Sequence, residues 1–376
     1  MNPSPPVIAL DARPLSTPLS GVGRVIANVL RRFPDPESFR FLLFSHKPPH
    51  PDFQDLLEFP WISWEEGRGP GARFGGVWFN FVLPFLLRGR RIDLFWGSQQ
   101  VLPPGLPRGL PAVLTYYDLV LYFFPEAMRP LARAQQRLVQ AYSVRRADRI
   151  LSISRQTQED MIRKFSYPPE KARPALLGVD PREMRRTGPR TKPRVARPYM
   201  LAVSTLEPRK NYSVLLEAFA LYAKSEKKPH RLAIVGKRGW ESPEFFRRLD
   251  ELRASTGLIE IVENASDSEL LELYSNAAFF CFPTLYEGFG LPLLEALAQG
   301  CNCLVSDIPC LHEIGGDTIQ YLPPRDVQAW ARALGEMTSR DRAGKLKKVR
   351  FPLKDWTWEK TARIHRDAFA ELLGGS

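Results

Sequence analysis

Short apolar runs separated by helix-forming stretches recur along the whole chain, and this alternation restricts the fold more than any other feature. In the first half the runs are Val7–Leu10, Phe39–Phe44, Asp93–Trp96, Ala112–Thr115 and Arg149–Ile153, with a helical pattern over Val25–Phe33. The pattern starts again with Met200–Val203, Arg231–Val235, Ile259–Val262, Phe279–Phe282 and Asn302–Val305. Helices are predicted between these runs over Ser213–Lys224, Pro243–Ser255, Asp267–Asn276 and Pro292–Gln299. Strands that are apolar throughout are covered on both faces, the situation of a parallel sheet flanked by helices. Thr187–Pro198 is rich in proline and charge without periodicity and interrupts the series. At 376 residues the chain is long for one domain. The expectation is an α/β protein with two doubly wound, Rossmann-like domains, 1–187 and 199–355, joined by a linker at 188–198. Ligands should then sit at the carboxyl ends of the strands, in an interdomain cleft.

Residues 286–295 read Tyr-Glu-Gly-Phe-Gly-Leu-Pro-Leu-Leu-Glu, placing Glu287 and Glu295 on either side of a glycine-broken helix start. Pro292 suits a first helical turn, and the Gly288-Phe289-Gly290 loop opens onto amides with partial positive charge, a seat for phosphate. A carboxylate beside an anion seat makes sense when the ligand also carries hydroxyls, which ionised Glu287 and Glu295 can accept from. The alternative is a plain helix start with an acidic residue favoured by the dipole and a solvated glutamate beyond it. Glu207-Pro-Arg-Lys210 directly follows a predicted strand, so Arg209 and Lys210 should lie where a diphosphate leaving group needs cations. A solvated basic turn is the other reading of those residues. Ser20-Gly-Val-Gly-Arg24 is a weak glycine signal, and the dinucleotide fingerprint fails because position 26 is Ile26.

The stretch Phe282–Gly300 resembles the signature of the retaining glycosyltransferases of family four, in which Glu, seven residues and Glu form the motif. The likeness continues through Ser204–Asn211, Ile234–Trp240 and Val305–Asp307; it is close over the second half and looser over the first. The resemblance implies the GT-B architecture of two facing Rossmann-like domains, with the terminal segment 356–376 forming a helix that crosses back to the first domain. It implies a retaining, metal-independent hexosyltransferase. Such an enzyme moves a sugar, mannose favoured, from a nucleotide sugar to a saccharide or lipid-linked saccharide acceptor in surface polysaccharide and lipopolysaccharide synthesis. No cofactor is expected beside the donor, with GDP-mannose favoured and UDP-sugars used by related enzymes; the chain has no Asp-x-Asp motif of the kind that holds a metal–nucleotide complex.

Roles follow by the same resemblance. Glu287 would hold hydroxyls of the donor sugar and Glu295 the ribose, while Arg209 and Lys210, beside Glu207, would neutralise the diphosphate. Gly288, Phe289, Gly290 and Leu291 would donate amides, as would the glycine loop at Gly21 and Gly23. Asn264 and Ala265 match the segment that meets the nucleobase. Two positions depart from the family pattern: Ser204 stands where Gly-Arg is common, and Tyr117, beside a retained Asp118, stands where a histidine lines the sugar site. Both stay among the expected site residues, Tyr117 and Asp118 with Glu287, Arg209 and Lys210 as catalytic, Ser204 as donor-binding. An epimerase or phosphorylase on the same architecture is the enzymatic alternative.

Net charge is +12, and residues 1–190 hold 27 Lys and Arg against 17 Asp and Glu, a surplus of +10, leaving 26 against 24 for the rest. A positive field on the first half fits an anionic partner there. A nucleic-acid-binding protein is the remote alternative, without a recognisable motif to support it. Val77–Arg91 joins an apolar helix to a basic cluster, and Arg129, Arg133 and Arg137 recur at helical spacing, so an anionic membrane surface is an expected peripheral contact. The apolar run is too short to span a bilayer and contains Pro84. The start shows no secretory pattern, so the expected location is cytoplasmic, at the inner face of the membrane where that contact is made. The cysteines Cys281, Cys301, Cys303 and Cys310 read as buried thiols, in preference to a zinc site built with His312.

Overall fold

The computed structural model describes residues 4–18, 20–67, 74–124, 126, 130–180 and 194–374. The chain divides into two units, Met1–Gly178 with Trp356–Ser376, and Val179–Asp355. Of the stretch read as a linker, positions up to 193 lie outside the described residues.

The first unit holds seven strands: β1 (Val7–Asp11), β2 (Arg40–Ser45), β3 (Ile62–Glu66), β4 (Leu94–Gly97), β5 (Ala112–Tyr116), β6 (Arg149–Ser152) and β7 (Ala172–Pro174). They form one sheet in the order β3-β2-β1-β4-β5-β6-β7, with parallel pairing throughout. The order reverses between β1 and β4, so the carboxyl ends of these two strands flank the natural ligand crevice of this sheet. Every residue of β4 and β5 is buried, as expected of central parallel strands.

The C-terminal helix, Trp358–Leu372, packs within this unit. Phe369 lies 6.1 Å from Phe33 and 5.6 Å from Trp96, ring centre to ring centre. Thr361 Oγ1 donates to the Leu176 carbonyl oxygen at 2.6 Å, and Glu371 pairs with Arg149 and Arg173.

The second unit holds β8 (Tyr199–Val203), β9 (Arg231–Val235), β10 (Ile259–Val262), β11 (Phe279–Phe282), β12 (Cys303–Ser306) and β13 (Gln320–Leu322). Their order is β10-β9-β8-β11-β12-β13, again all parallel. Renumbered within the unit this is 3-2-1-4-5-6, the doubly wound order whose switch point falls between β8 and β11. A core of Met200, Leu215, Phe219, Leu232, Phe279 and Trp330 fills the space between sheet and helices.

Three strands escape the sequence reading, β3, β7 and β13, and all are edge strands. An edge strand pairs on one side only and needs no continuous apolar run; β3 shows it, with Ser63 and Glu66 exposed. The first helix begins at Gly21, not near Val25, because Ser20 caps it by accepting from the Gly23 amide at 3.1 Å. Gly21 and Gly23 therefore occupy a first helical turn and not a loop.

Candidate functional site at the switch point of the second sheet

The loop leaving β8 and the loop leaving β11 meet at the point where the sheet order reverses. Pro208–Lys210 forms a single 3-10 turn, and Asn211 ends it in the left-handed region at φ 58°. The Asn211 amide donates to the Pro283 carbonyl oxygen at 2.9 Å and to that of Pro324 at 2.6 Å, tying the turn to the ends of β11 and β13. The backbone reinforces this, with the Leu285 amide donating to the Arg209 carbonyl oxygen at 2.7 Å. Residues far apart in sequence are thus fixed side by side.

Glu287 is the centre of the resulting cluster and is 7% exposed. Lys210 Nζ donates to its Oε1 at 2.5 Å, Thr284 Oγ1 to the same oxygen at 2.9 Å, and Arg209 Nη1 to its Oε2 at 3.1 Å. Burial alone would push the Glu287 carboxyl up, but the Lys210 and Arg209 cations, with hydrogen bonds from Lys210 and Thr284, hold it below the usual range. The same burial draws Lys210 down, with Glu287 opposing. The carboxylate thus has two basic side chains and a hydroxyl to secure its charge.

Arg209 also reaches Glu207, through Nε at 3.3 Å and Nη2 at 3.4 Å. Glu207 Oε2 in turn accepts from the Trp240 indole at 3.1 Å. The four charged groups Glu207, Arg209, Lys210 and Glu287 therefore balance. Arg209 Nη1 also donates to the Tyr286 carbonyl oxygen at 3.2 Å, and of the three N–H groups of the Lys210 ammonium Glu287 accepts one.

Backbone clearance shapes the same edge. A Cβ on Gly236 would stand 1.9 Å from the Ser204 carbonyl oxygen, so β8 and β9 approach here as only glycine permits. Ser204, at the end of β8, donates through Oγ to the Tyr212 hydroxyl at 3.0 Å. Gly290 caps the helix Leu291–Ala298 at φ 113°, and a Cβ there would meet Leu311 at 2.8 Å. Phe289 is buried and Leu291 half-buried.

Not every expected residue joins the cluster. Glu295, 6% exposed in the helix Leu291–Ala298, accepts from the Tyr274 hydroxyl at 3.1 Å. Asn264 and Ala265 follow the edge strand β10, Asn264 in the left-handed region at φ 53°. Asn211, Thr284 and Tyr274 were not singled out from sequence. A threonine directly after the Phe-Cys-Phe-Pro run was the one available signal, since a short hydroxyl side chain at a strand's carboxyl end faces the crevice.

The remaining expected residues lie in the first unit. The Tyr117 phenol is buried and donates to the Ser98 carbonyl oxygen at 2.9 Å, and burial raises its pKa far beyond the ordinary phenol range. It acts as a strut between the ends of β4 and β5. Asp118 Oδ1 accepts from the Val120 amide at 3.0 Å, and Gln100 Oε1 accepts from the Tyr117 and Asp118 amides, both at 2.9 Å. At the switch point of this sheet, fully buried Asp11 accepts from Arg13 Nη2 and from Gln99 Nε2, both at 2.7 Å. A Cβ on Gly21 would meet nothing within 4 Å, whereas one on Gly23 would press on Phe53 at 3.0 Å.

The four cysteines are buried free thiols whose pKa values burial raises. Among the described residues, no three His, Cys, Asp or Glu side chains gather as a cation site, and no helix is long and apolar enough to cross a membrane.

Comparison with known proteins gives two family matches that divide the chain: Glycosyltransferase Family 4 over residues 19–183 and Glycosyl transferases group 1 over residues 186–348. The chain is 32% identical over 251 residues to the O-antigen chain mannosyltransferase B of Escherichia coli, covering 65% of this chain and 64% of that protein. It is 25% identical over 224 residues to the O-antigen chain mannosyltransferase RfbU of Salmonella typhimurium, covering 59% of each. The match thus spans less than two thirds of either relative. Among solved structures, the sucrose-phosphate synthase of Thermosynechococcus elongatus shares the fold, with a TM-score of 0.71, 19% identity, and coverage of 99% of this chain and all of that one.

Proposed function

Because the chain belongs to glycosyltransferase family 4, with a second half of the glycosyl transferases group 1 type, we propose that it moves a hexose from a nucleotide sugar to a glycan or lipid-linked glycan acceptor. Mannose from GDP-mannose is the favoured donor, in keeping with the mannosyltransferases it is similar to, and surface polysaccharide or lipopolysaccharide synthesis is the setting. The observation that carries this reading is the buried Glu287 held between Lys210, Arg209 and Thr284 at the switch point.

A sugar hydroxyl needs an acceptor there and a departing diphosphate needs donors, and one cluster offers both. As the bond from anomeric carbon to phosphate oxygen breaks, negative charge grows on that oxygen. The positive charges of Arg209 and Lys210 stabilise it without a metal. Glu287 accepts from the sugar's hydroxyls, and Glu295 takes the ribose. The acceptor hydroxyl attacks from the face the diphosphate leaves, giving its proton to the leaving phosphate, so configuration is retained. The protein acts in the cytoplasm against the inner face of an anionic membrane. Supporting that contact, Phe81 and Phe85 are each 75% exposed on a helical segment that ends in Arg88.

The test pairs binding with turnover. GDP is expected to raise the melting temperature more than UDP, ADP or dTDP, since a ligand of the native state must stabilise it. GDP-mannose with a mannoside acceptor should yield GDP and an α-linked product by NMR. If none of the four nucleotides stabilises the protein and no nucleotide sugar is turned over, the reading is refuted.

A further inference from the structure

Arg209 is gripped by the protein along the edge with which an arginine takes phosphate. Its Nε donates to Glu207 Oε2 at 3.3 Å and its Nη2 to Glu207 Oε1 at 3.4 Å, a two-point fork, while Nη1 reaches Glu287 and the Tyr286 carbonyl oxygen. Both side chains are largely covered, that of Arg209 17% exposed and that of Glu207 16%. A carboxylate and a phosphate present the same pair of oxygens to a guanidinium, so Glu207 occupies the edge on which a phosphate would bind. The fork is loose. Charge-assisted N–H···O bonds run at about 2.7–2.9 Å, and both of these are longer.

Glu207 has a second partner, and the backbone builds it in. The Trp240 indole donates to Glu207 Oε2 at 3.1 Å. Its loop is pinned to the loop leaving β8: the Leu206 amide donates to the Lys237 carbonyl oxygen at 3.0 Å, and a Cβ on Gly239 would stand 2.4 Å from the Leu206 carbonyl oxygen. The ring is therefore delivered to Glu207 by an approach of two backbones closer than a side chain allows. Glu241 brings a further carboxyl to this corner. Burial raises its pKa and the Glu207 charge adds to that rise, while its Oε1 is buried without a hydrogen-bond partner. A Glu207 parted from Arg209 thus keeps the Trp240 N–H but is left with a like group beside it, which favours its return to the guanidinium.

We propose that Glu207 is a built-in stand-in for the donor's diphosphate: it fills the Nε–Nη2 edge of Arg209 in the empty protein, gives that edge up to the diphosphate while keeping Trp240, and reclaims it as the nucleoside diphosphate leaves. Trp240 is then a positioning residue that acts through Glu207. This role rests on the placing of the diphosphate at Arg209 proposed above, and it makes Glu207 a competitor of the product instead of a binder of it.

The experiment is calorimetric titration of the full chain with GDP and with inorganic pyrophosphate, for the parent, Glu207→Gln, Trp240→Phe and the double variant. Glu207→Gln removes the competing charge, so both ligands should bind about tenfold more tightly, the scale of one nearby like charge at a partly covered site. Trp240→Phe takes away the partner that Glu207 keeps when displaced, so both should bind about threefold more weakly, the worth of one hydrogen bond. In the Glu207→Gln background Trp240→Phe should have little further effect, which a merely structural role of the ring would not produce. Product inhibition by GDP should deepen in Glu207→Gln in step with its affinity. Weaker binding of both ligands by Glu207→Gln, the result expected if Glu207 only holds Arg209 in place, would overturn the proposal. So would tighter GDP without tighter pyrophosphate, or an undiminished Trp240→Phe effect in the double variant. A parent that binds pyrophosphate in the predicted order of variants but not GDP would count against the donor reading and still support the role of Glu207.

Discussion

Replacing Glu287 with alanine removes a proposed sugar contact and also strands a buried charge, and the two effects can be measured apart. Lys210 is 7% exposed and its ammonium lies 2.5 Å from Glu287 Oε1. Truncating the glutamate leaves that ammonium facing the like-charged Arg209, with Glu207 as the weaker remaining counter-charge. Breaking a buried pair from one side costs about 3–5 kcal/mol. Lys210→Met should cost less, about 1–2 kcal/mol, because Glu287 keeps Arg209 at 3.1 Å and Thr284 at 2.9 Å. In the double variant no ammonium remains to be stranded, so it should be no less stable than Glu287→Ala alone, a coupling of about 2 kcal/mol.

Hydrogen exchange over peptides spanning 199–211 and 279–298 reads this locally. A loss of about 3 kcal/mol in opening free energy accelerates exchange on the order of a hundredfold. Because the Glu287 carboxyl is held below its usual range, the pair's contribution is complete above the ordinary carboxylate pKa and is lost as pH falls through the lowered value. Unchanged exchange in Glu287→Ala, or strictly additive losses in the double variant, would refute the view that Glu287 and Lys210 form one structural unit. Turnover should fall in both single variants whatever the exchange result.

Two further outcomes are expected. His365 is buried against Trp96 at 5.2 Å, its Nδ1 within 2.9 Å of the Thr361 carbonyl oxygen, and burial lowers its pKa to about 4. Its contribution to the first unit is thus complete above pH 6.5 and declines by about 2.5 kcal/mol on going to pH 4.5; urea melts of the parent and His365→Gln at both values should show that pH-dependent gap, and parallel pH profiles would refute it. Gly21→Ala meets no neighbour within 4 Å and replaces a helical glycine, so stability should hold or rise by about 0.5 kcal/mol; if a ligand closes on that turn, turnover should nonetheless fall tenfold or more in a steady-state assay, and full activity would remove Gly21 from the site.

The central strands were legible because a strand paired on both sides and covered on both faces is buried throughout and largely apolar, as Phe279–Phe282 and Ala112–Tyr116 are. Three of the four edge strands were not, β10 being the exception, since β7 and β13 offer three residues each and β7 ends in Pro174, which reads as a break. Within the site, the alternation placed Arg209, Lys210 and Glu287 at strand ends, but sequence reasoning gave them separate tasks, cations for the diphosphate and a carboxylate for the sugar. Their mutual contact across 77 positions depends on β8 and β11 being neighbours, a fact of sheet order that no local pattern carries.

That contact alters the physics of the site. Two cations beside two carboxylates present little net charge, so attraction for a diphosphate cannot come from a bare positive field. On the proposed reading it would come from hydrogen bonds directed by Arg209 and Lys210 and from burial, which strengthens each such bond by excluding water. On the proposed function such a site would hold its carboxylate ready for sugar hydroxyls while remaining a donor to phosphate, and removing either residue of the Glu287–Lys210 pair is expected to weaken both tasks together.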